Sequence, residues 1–121
     1  MELKVTKGWT NVKGSGDWNC NCGSWKKHWL IYSRDFYNMD KLMKLDFLEA
    51  KYWPEQCSVA GCENVAEDGA HVKNPKLQGQ WIIPMCKTHN NPDNEDIFEI
   101  KKGTYRAPAN KEKTCERKSV G

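Results

Sequence analysis

The chain has 121 residues, a formal net charge of +3 and a hydrophobic content of 38%. This length fits one domain, and the modest apolar content predicts a small core that needs added stabilisation from a bound metal ion or a disulfide. The weak positive charge permits contact with DNA or RNA without the strong basic field of a dedicated binder, and no apolar run reaches the roughly 20 residues of a membrane span, so we expect no membrane partner.

Residues 1–54 predict one strand followed by two helices. Apolar and polar side chains alternate from Leu3, which is typical of a strand or a short hairpin. Ser24 stands where it would cap a first helix, and Asp40 stands where it would cap a second helix that Pro54 ends. The large apolar residues recur at helical spacing and are expected in the core: Trp25, Trp29 and Tyr32 in the first helix, and Leu42, Met43, Leu45, Phe47, Leu48 and Tyr52 in the second.

Residues 55–95 predict the module around which the rest is organised. Asp68-Gly69 between two short apolar runs predicts a hairpin turn. Residues 73–79 predict a loop, and residues 81–83 predict a short buried strand. The last part, residues 96–121, predicts one more hairpin and then an irregular charged tail; the hairpin would carry Phe98 and Ile100, then Gly103 and Tyr105.

Two pairs of metal-binding side chains enclose the central module. Cys57 and Cys62 are separated by four residues, and Cys86 and His89 by two, with 23 residues between the pairs. Zinc takes four tetrahedral sulfur or nitrogen ligands, and two tight turns brought together supply them. A closed ligand set stabilises a fold and leaves no position for a substrate. We therefore predict a structural Zn²⁺ ion held by these four residues.

The same stretch resembles the core of the HNH endonucleases, a ββα-metal treble clef. Residues 69–72 stand where that family carries its catalytic histidine, here His71, and residues 81–86 match the strand that precedes the family's second ligand pair. His89 stands where the family has its last zinc cysteine. The resemblance covers residues 57–90, under a third of the chain. It implies a treble clef in which His71 is the general base beside a divalent catalytic ion.

Two positions depart from the family's catalytic-metal site. The residue before the catalytic histidine is Ala70, and the residue after the last zinc ligand, normally a histidine, is Asn90. Alanine offers no ligand atom, and an amide is a weak ligand for a magnesium-like ion. We therefore predict a degenerate catalytic-metal site in which Asn90 is the candidate metal position. Catalysis stays an alternative, because Asp68, Asn91 or Asp93 could supply metal ligands from a different direction. The ligand order also resembles that of THAP-type DNA-binding zinc modules, which is a third alternative.

The remaining cysteines leave two interpretations open. Cys20, Cys22 and Cys115, together with His71, would make a second zinc site that ties both ends of the chain to the central module. A zinc-bound His71 could not act as a base. Alternatively, the three cysteines are unpaired thiols, or Cys115 forms a disulfide on oxidation. His28, between two tryptophans, is predicted to pack or to lie on the surface rather than to bind metal.

These patterns predict an α+β fold: a small zinc-stabilised treble-clef (ββα) module over residues 55–95, an N-terminal helical segment packed on it, and a single domain over residues 1–121. The leading functional hypothesis is an HNH-like domain that binds nucleic acid or a protein partner and has lost its catalytic metal. The alternatives are an active metal-dependent DNA endonuclease with His71 as base, and an interaction or inhibitor protein without nucleic-acid affinity. The N-terminus carries no apolar run of signal-peptide length, so we expect a cytoplasmic protein.

Overall fold

The computed structural model describes residues 5–12, 24–36, 44–91 and 93–109. Within these ranges the chain forms two helices and one four-stranded antiparallel sheet in the order β1-β2-β3-β4. The helices are α1 (Trp25–Phe36) and α2 (Leu45–Tyr52), and the strands are β1 (Thr10–Asn11), β2 (Asp68–Lys73), β3 (Gln80–Met85) and β4 (Ala107–Pro108). The mixed α and β content that the sequence predicts is therefore present.

The β2–β3 hairpin is the centre of the sheet, and its two faces contact different parts of the chain. The strands pair from Asp68 with Met85 to Lys73 with Gln80. Successive side chains of a strand point to opposite faces. Ala70 and Ile83 accordingly pack in one buried cluster with Cys57, Cys62 and Cys86. Ile82 packs in a second cluster with residues of α1 and α2. Helix α1 therefore covers one face, with α2 packed against α1, and the cysteine-bearing turns cover the other face.

Helix α1 is held against the sheet by its aromatic residues. Its first turn is capped as predicted, because the backbone N–H of Lys27 donates a hydrogen bond to Ser24 Oγ at 3.1 Å. Trp29 is 1% exposed, meets Trp53 edge to face at a centroid distance of 5.3 Å, and donates its indole N–H to the carbonyl oxygen of Tyr105 at 2.9 Å. This one side chain therefore links α1 to the end of α2 and to the C-terminal segment.

The predicted turn at Asp68-Gly69 is wrong, because both residues lie within β2. A Cβ atom at Gly69 would stand 2.5 Å from the carbonyl carbon and oxygen of Trp25. Glycine is needed here because the first turn of α1 approaches the strand backbone, and the close approach of another backbone is one reason for glycine in a strand. The dipeptide alone favours a turn, so only the tertiary packing distinguishes the two cases.

The second helix begins later than predicted. It starts at Leu45, and Lys44 occupies the N-cap position with extended backbone, so the helix is not capped by Asp40, which lies outside the described residues. Asp46 in the first turn supplies the negative charge that a helix N-terminus favours. Phe47, which was predicted to join the apolar side, is 65% exposed. The packed side of α2 is therefore narrower than the sequence suggests.

The predicted hairpin after residue 96 does not form within residues 93–109. Phe98 instead pairs with Trp9, and Ile100 pairs with Val59. Gly103, with a φ of 81°, turns the chain before β4 pairs with β3. The segment therefore closes against the N-terminal strand region, the first cysteine turn and the sheet in succession, instead of folding on itself.

Candidate metal centre

The structure brings together the four side chains that were predicted to bind zinc. The ligand atoms of Cys57, Cys62, Cys86 and His89 all lie within 4.8 Å of one another. The three cysteines are buried and free of disulfide bonds, and His89 is half-buried. The four residues therefore form a buried group able to hold a metal ion.

The distances within this group match a tetrahedral zinc site. Zinc about 2.3 Å from sulfur and about 2.0 Å from nitrogen sets sulfur–sulfur edges of about 3.8 Å and sulfur–nitrogen edges of about 3.5 Å. The Sγ atoms of Cys62 and Cys86 are 3.9 Å apart. Nδ1 of His89 lies 3.7 Å from Sγ of Cys57 and 3.3 Å from Sγ of Cys86. The donor set and its spacing both fit Zn²⁺, with Nδ1 as the histidine ligand.

Two tight turns present the ligands. In the first turn, Cys62 donates its backbone N–H to the carbonyl oxygen of Val59 at 3.0 Å, and Gly61 takes the positive φ of 81° that such a turn accommodates. In the second turn, Asn90 donates its backbone N–H to the carbonyl oxygen of Cys86 at 2.9 Å. Each turn sets two ligand side chains in one direction. The second turn directly follows β3, so the sheet positions it.

For two of the thiols, burial raises the pKa and hydrogen bonds to sulfur lower it. Burial raises the pKa of Cys57. Burial alone would also raise the pKa of Cys86, but hydrogen bonds from the backbone N–H of His89 and from the side chains of Cys57, His89 and Asn64 lower it. Asn64 Nδ2 donates to Cys86 Sγ at 3.8 Å. Cys86 is therefore the thiol that its neighbours prepare as a thiolate.

A nearby lysine faces the backbone of the metal-binding group. Three thiolates and a neutral imidazole around Zn²⁺ carry a net charge of −1, counted from the ligands. Lys101 Nζ donates to the carbonyl oxygen of Cys62 at 2.7 Å. A cation at this distance from a ligand backbone favours an anionic centre.

The structure places His71 away from the metal centre. It lies on β2, is 5% exposed, and meets Trp25 edge to face at a centroid distance of 5.1 Å. His71 therefore lies on the helix-covered side of the sheet, whereas Ala70 on the other side packs with the cysteines. A phosphodiester cannot reach the imidazole without movement of α1.

Asn90, the other candidate catalytic residue, lies in a group of charged side chains. Its Nδ2 donates to Asp68 Oδ2 at 3.5 Å. Lys87 Nζ lies 3.4 Å from both Asp68 carboxylate oxygens and 3.6 Å from Glu67 Oε2. The charge of Asp68, with a smaller contribution from Glu67, raises the pKa of Lys87. Asp68 is thus engaged by Lys87 and Asn90. It lies on the face of β2 opposite His71, so the structure does not bring Asn90 and His71 to one site.

Of the remaining candidate site residues, the structure describes His28, whereas three cysteines lie outside the described ranges. Cys20, Cys22 and Cys115 lie outside them, so the second zinc site stays a prediction. His28 is fully buried, and its Nε2 donates to the carbonyl oxygen of Pro108 at 2.7 Å. Burial lowers the pKa of His28, and the hydrogen bond to Pro108 offsets part of this shift. His28 is a packed residue, as predicted.

Sequence reasoning missed the residues that surround the ligands. Asn64 lies two residues after Cys62 but belongs to no recognisable ligand motif. Lys101 is 39 residues away from Cys62 in the chain, and no local pattern links them. The pairing of Ile100 with Val59 and the hydrogen bond from the backbone N–H of Lys101 to the carbonyl oxygen of Ser58 bring Lys101 to the metal centre.

Comparison with protein-family models, with curated proteins and with solved structures finds no match to this chain. Neither of the helices that the structure describes has the length and apolar run that a bilayer crossing requires. The function is therefore inferred from the fold and from the metal centre.

Proposed function

We propose that this protein is a zinc-stabilised, HNH-like domain that acts by binding, with nucleic acid as the leading partner and a protein as the alternative. The observation that carries the proposal is the convergence of three cysteine sulfurs and His89 Nδ1 within 4.8 Å. All four tetrahedral positions would be filled by protein atoms. Such a site supplies folding energy and offers no exchangeable position for a substrate or water.

The HNH resemblance and the treble-clef assignment are part of this proposal. The β2–β3 hairpin lies between the two ligand turns, in the order that the resemblance implies. The helix that follows the second ligand pair in that family has no counterpart in residues 87–91 and 93–109, which form a turn and extended segments. The likeness therefore extends to the ligand turns and the hairpin.

Two observations favour binding over cleavage. His71 is buried beneath α1, and a general base must reach the proton that it removes. Asp68 is engaged by Lys87 and Asn90, so a catalytic ion would have to displace an ammonium group. Metal-assisted phosphodiester cleavage needs an ion at the reacting oxygens. The endonuclease therefore remains the alternative that needs a rearranged site.

Zinc-loaded protein, incubated with supercoiled plasmid and Mg²⁺, Mn²⁺ or Ni²⁺, separates these functions. We expect no cleavage above background, and the same result for His71→Ala. Cleavage by the wild-type protein that disappears in His71→Ala would overturn the binding proposal in favour of the endonuclease. Metal analysis of the same sample should give at least one Zn²⁺ per chain.

The third function, an interaction or inhibitor protein without nucleic-acid affinity, is tested by a salt series. Binding of DNA or RNA that weakens as salt rises is the expected result, because phosphate contacts release counterions. A folded, zinc-loaded protein that shifts neither DNA nor RNA at low salt would favour a protein partner instead.

A further inference from the structure

A cleft opens between the C-terminal end of α2 and the turn that precedes β4. Its volume is about 410 Å³, which lies within the usual range of small-molecule and single-residue binding pockets. It is lined by Tyr52 of α2 and Tyr105 of the C-terminal segment, together with Lys51, Lys101 and Lys102. We call this surface the lysine cleft.

The charge of the lysine cleft is one-sided. Among the described residues that line it are three lysines and no carboxylate, although the whole chain has 19 basic and 16 acidic residues. A groove on another side of α2 has the opposite balance, because Asp46, Glu49 and Glu55 line it with Lys26. Lys26 and Glu49 form an ion pair of 2.9 Å there. Charge is therefore segregated around α2, and the lysine cleft suits an anion.

The walls of the lysine cleft are held by hydrogen bonds. Lys101 donates its backbone N–H to the carbonyl oxygen of Ser58 at 2.8 Å. Thr104 Oγ1 donates to the carbonyl oxygen of Lys101 at 2.7 Å, and Gly103 takes the positive φ of the turn. Trp29 holds the carbonyl oxygen of Tyr105 at 2.9 Å. The site is therefore built on the fold, and Lys102 is presented at the exposed tip of its turn.

The three lysines have different roles. Lys101 Nζ is directed to the carbonyl oxygen of Cys62, so its charge faces the metal centre. Lys51 Nζ lies 5.4 Å from the centroid of the Tyr52 ring, which places a cation beside an aromatic face. Lys51 and Lys102 are exposed, and Tyr105 is 38% exposed. Two lysines and the ring-bearing Tyr105 are thus exposed at the cleft, and Tyr52, which is half-buried, lines it beside them.

We propose that the lysine cleft binds single-stranded nucleic acid: Lys51 and Lys102 contact phosphates, and the rings of Tyr52 and Tyr105 contact unstacked bases. This inference specifies the surface and the kind of nucleic acid for the proposed function, and it rests on the proposal that the protein binds nucleic acid. Ammonium groups alone would serve any polyanion, but aromatic rings beside them add stacking that only splayed bases can use. A duplex keeps its bases stacked inside, and an acidic peptide brings carboxylates without planar rings.

Fluorescence anisotropy with zinc-loaded protein and a labelled single strand of about 12 nucleotides, as DNA and as RNA, tests the proposal. Two phosphate contacts predict a contribution of about −1.4 to the slope of log affinity against log salt. Lys51→Gln/Lys102→Gln should remove that contribution, which is about a 25-fold loss at about 0.1 M salt. The matched control Lys27→Gln/Lys73→Gln removes the same charge from exposed positions outside the cleft and should leave the affinity close to that of the wild type.

The aromatic part has its own pair of variants. Tyr105→Ala should weaken binding by about 5- to 150-fold, the range for loss of one base–aromatic stack, and Tyr105→Phe should retain it. The carbonyl oxygen that Trp29 binds is retained in both variants, so circular dichroism and zinc content should match the wild type. A loss that is equal in both tyrosine variants would contradict stacking.

The remaining outcomes show whether the cleft proposal fails alone or fails together with nucleic-acid binding. Wild-type binding that the cleft variants do not weaken more than the control would refute the cleft and keep nucleic-acid binding. Equal affinity for the duplex of the same sequence, or for polyglutamate, would refute single-stranded nucleic acid as the occupant. Zinc-loaded, folded protein that binds no oligonucleotide would overturn the cleft and the nucleic-acid form of the function together, and would leave the structural zinc site intact.

Discussion

Gly69→Ala tests the close approach of α1 to the sheet. The added Cβ would stand 2.5 Å from the carbonyl carbon and oxygen of Trp25 and 2.7 Å from the backbone nitrogen of Lys26. Ordinary carbon contacts need about 3.5 Å, so the first turn of α1 would have to move by about 1 Å. Overpacking costs about 1–3 kcal/mol, and the stiffer unfolded chain returns about 0.4–1 kcal/mol. Because the obstructing atoms are backbone, we expect a net loss of about 2 kcal/mol.

Urea unfolding of the zinc-loaded proteins, followed by tryptophan fluorescence, measures this loss. For a chain of this size it corresponds to a fall of about 8 °C in Tm. Gly79→Ala is the matched control, because a Cβ there meets no atom within 4 Å and only the φ of 81° opposes it, at a cost of about 1 kcal/mol. A Gly69→Ala protein as stable as the wild type would show that α1 does not press on β2, and the burial of His71 would lose its explanation.

The remaining predictions concern pH, the metal centre and chelation. The folded-state pKa of His28 lies below its ordinary value, so the unfolded chain binds the proton first and stability should fall as pH drops below about 6.5. His28→Gln should reduce the difference between the free energies of unfolding at about pH 7.5 and about pH 5.5. A variant whose free energy of unfolding depends on pH as the wild type's does would contradict this. Asn64→Ala removes a donor to Cys86 Sγ, so the affinity for Zn²⁺ should fall by about 10-fold, as measured by competition with a chromophoric chelator. An unchanged affinity would show that the hydrogen bond from Asn64 does not support zinc binding. Excess EDTA should abolish the near-ultraviolet circular dichroism signal, and added Zn²⁺ should restore it, whereas a signal that persists after verified zinc removal would show that the fold does not need the metal.

The parts of the fold that the sequence predicts are those set by local rules. Ser24 caps α1, because N-capping needs only one side chain and the next turn. The strand before Cys86 follows from its apolar run, and the metal group follows from two pairs of ligands on tight turns. Each of these features depends on residues that are close together in the chain.

The parts that the sequence does not predict depend on residues far apart. Gly69 has the sequence of a turn and the position of a strand, because the deciding contact comes from Trp25. Ile100 pairs with Val59 instead of with a following strand. The HNH resemblance predicts a catalytic role for His71, yet the helix that buries His71 lies upstream of the stretch on which the resemblance rests. Tertiary packing overrode the local preference in each case.

X-ray absorption at the zinc edge, with a metal count on the same purified protein, tests the central claim most directly. We expect bound zinc with three sulfur neighbours at about 2.3 Å and one nitrogen at about 2.0 Å, which is the shell that Cys57, Cys62, Cys86 and His89 provide. Cys86→Ser should lower the zinc content and leave the remaining protein poorly folded. A protein that folds without zinc, or a zinc shell made of oxygen and nitrogen alone, would contradict the account.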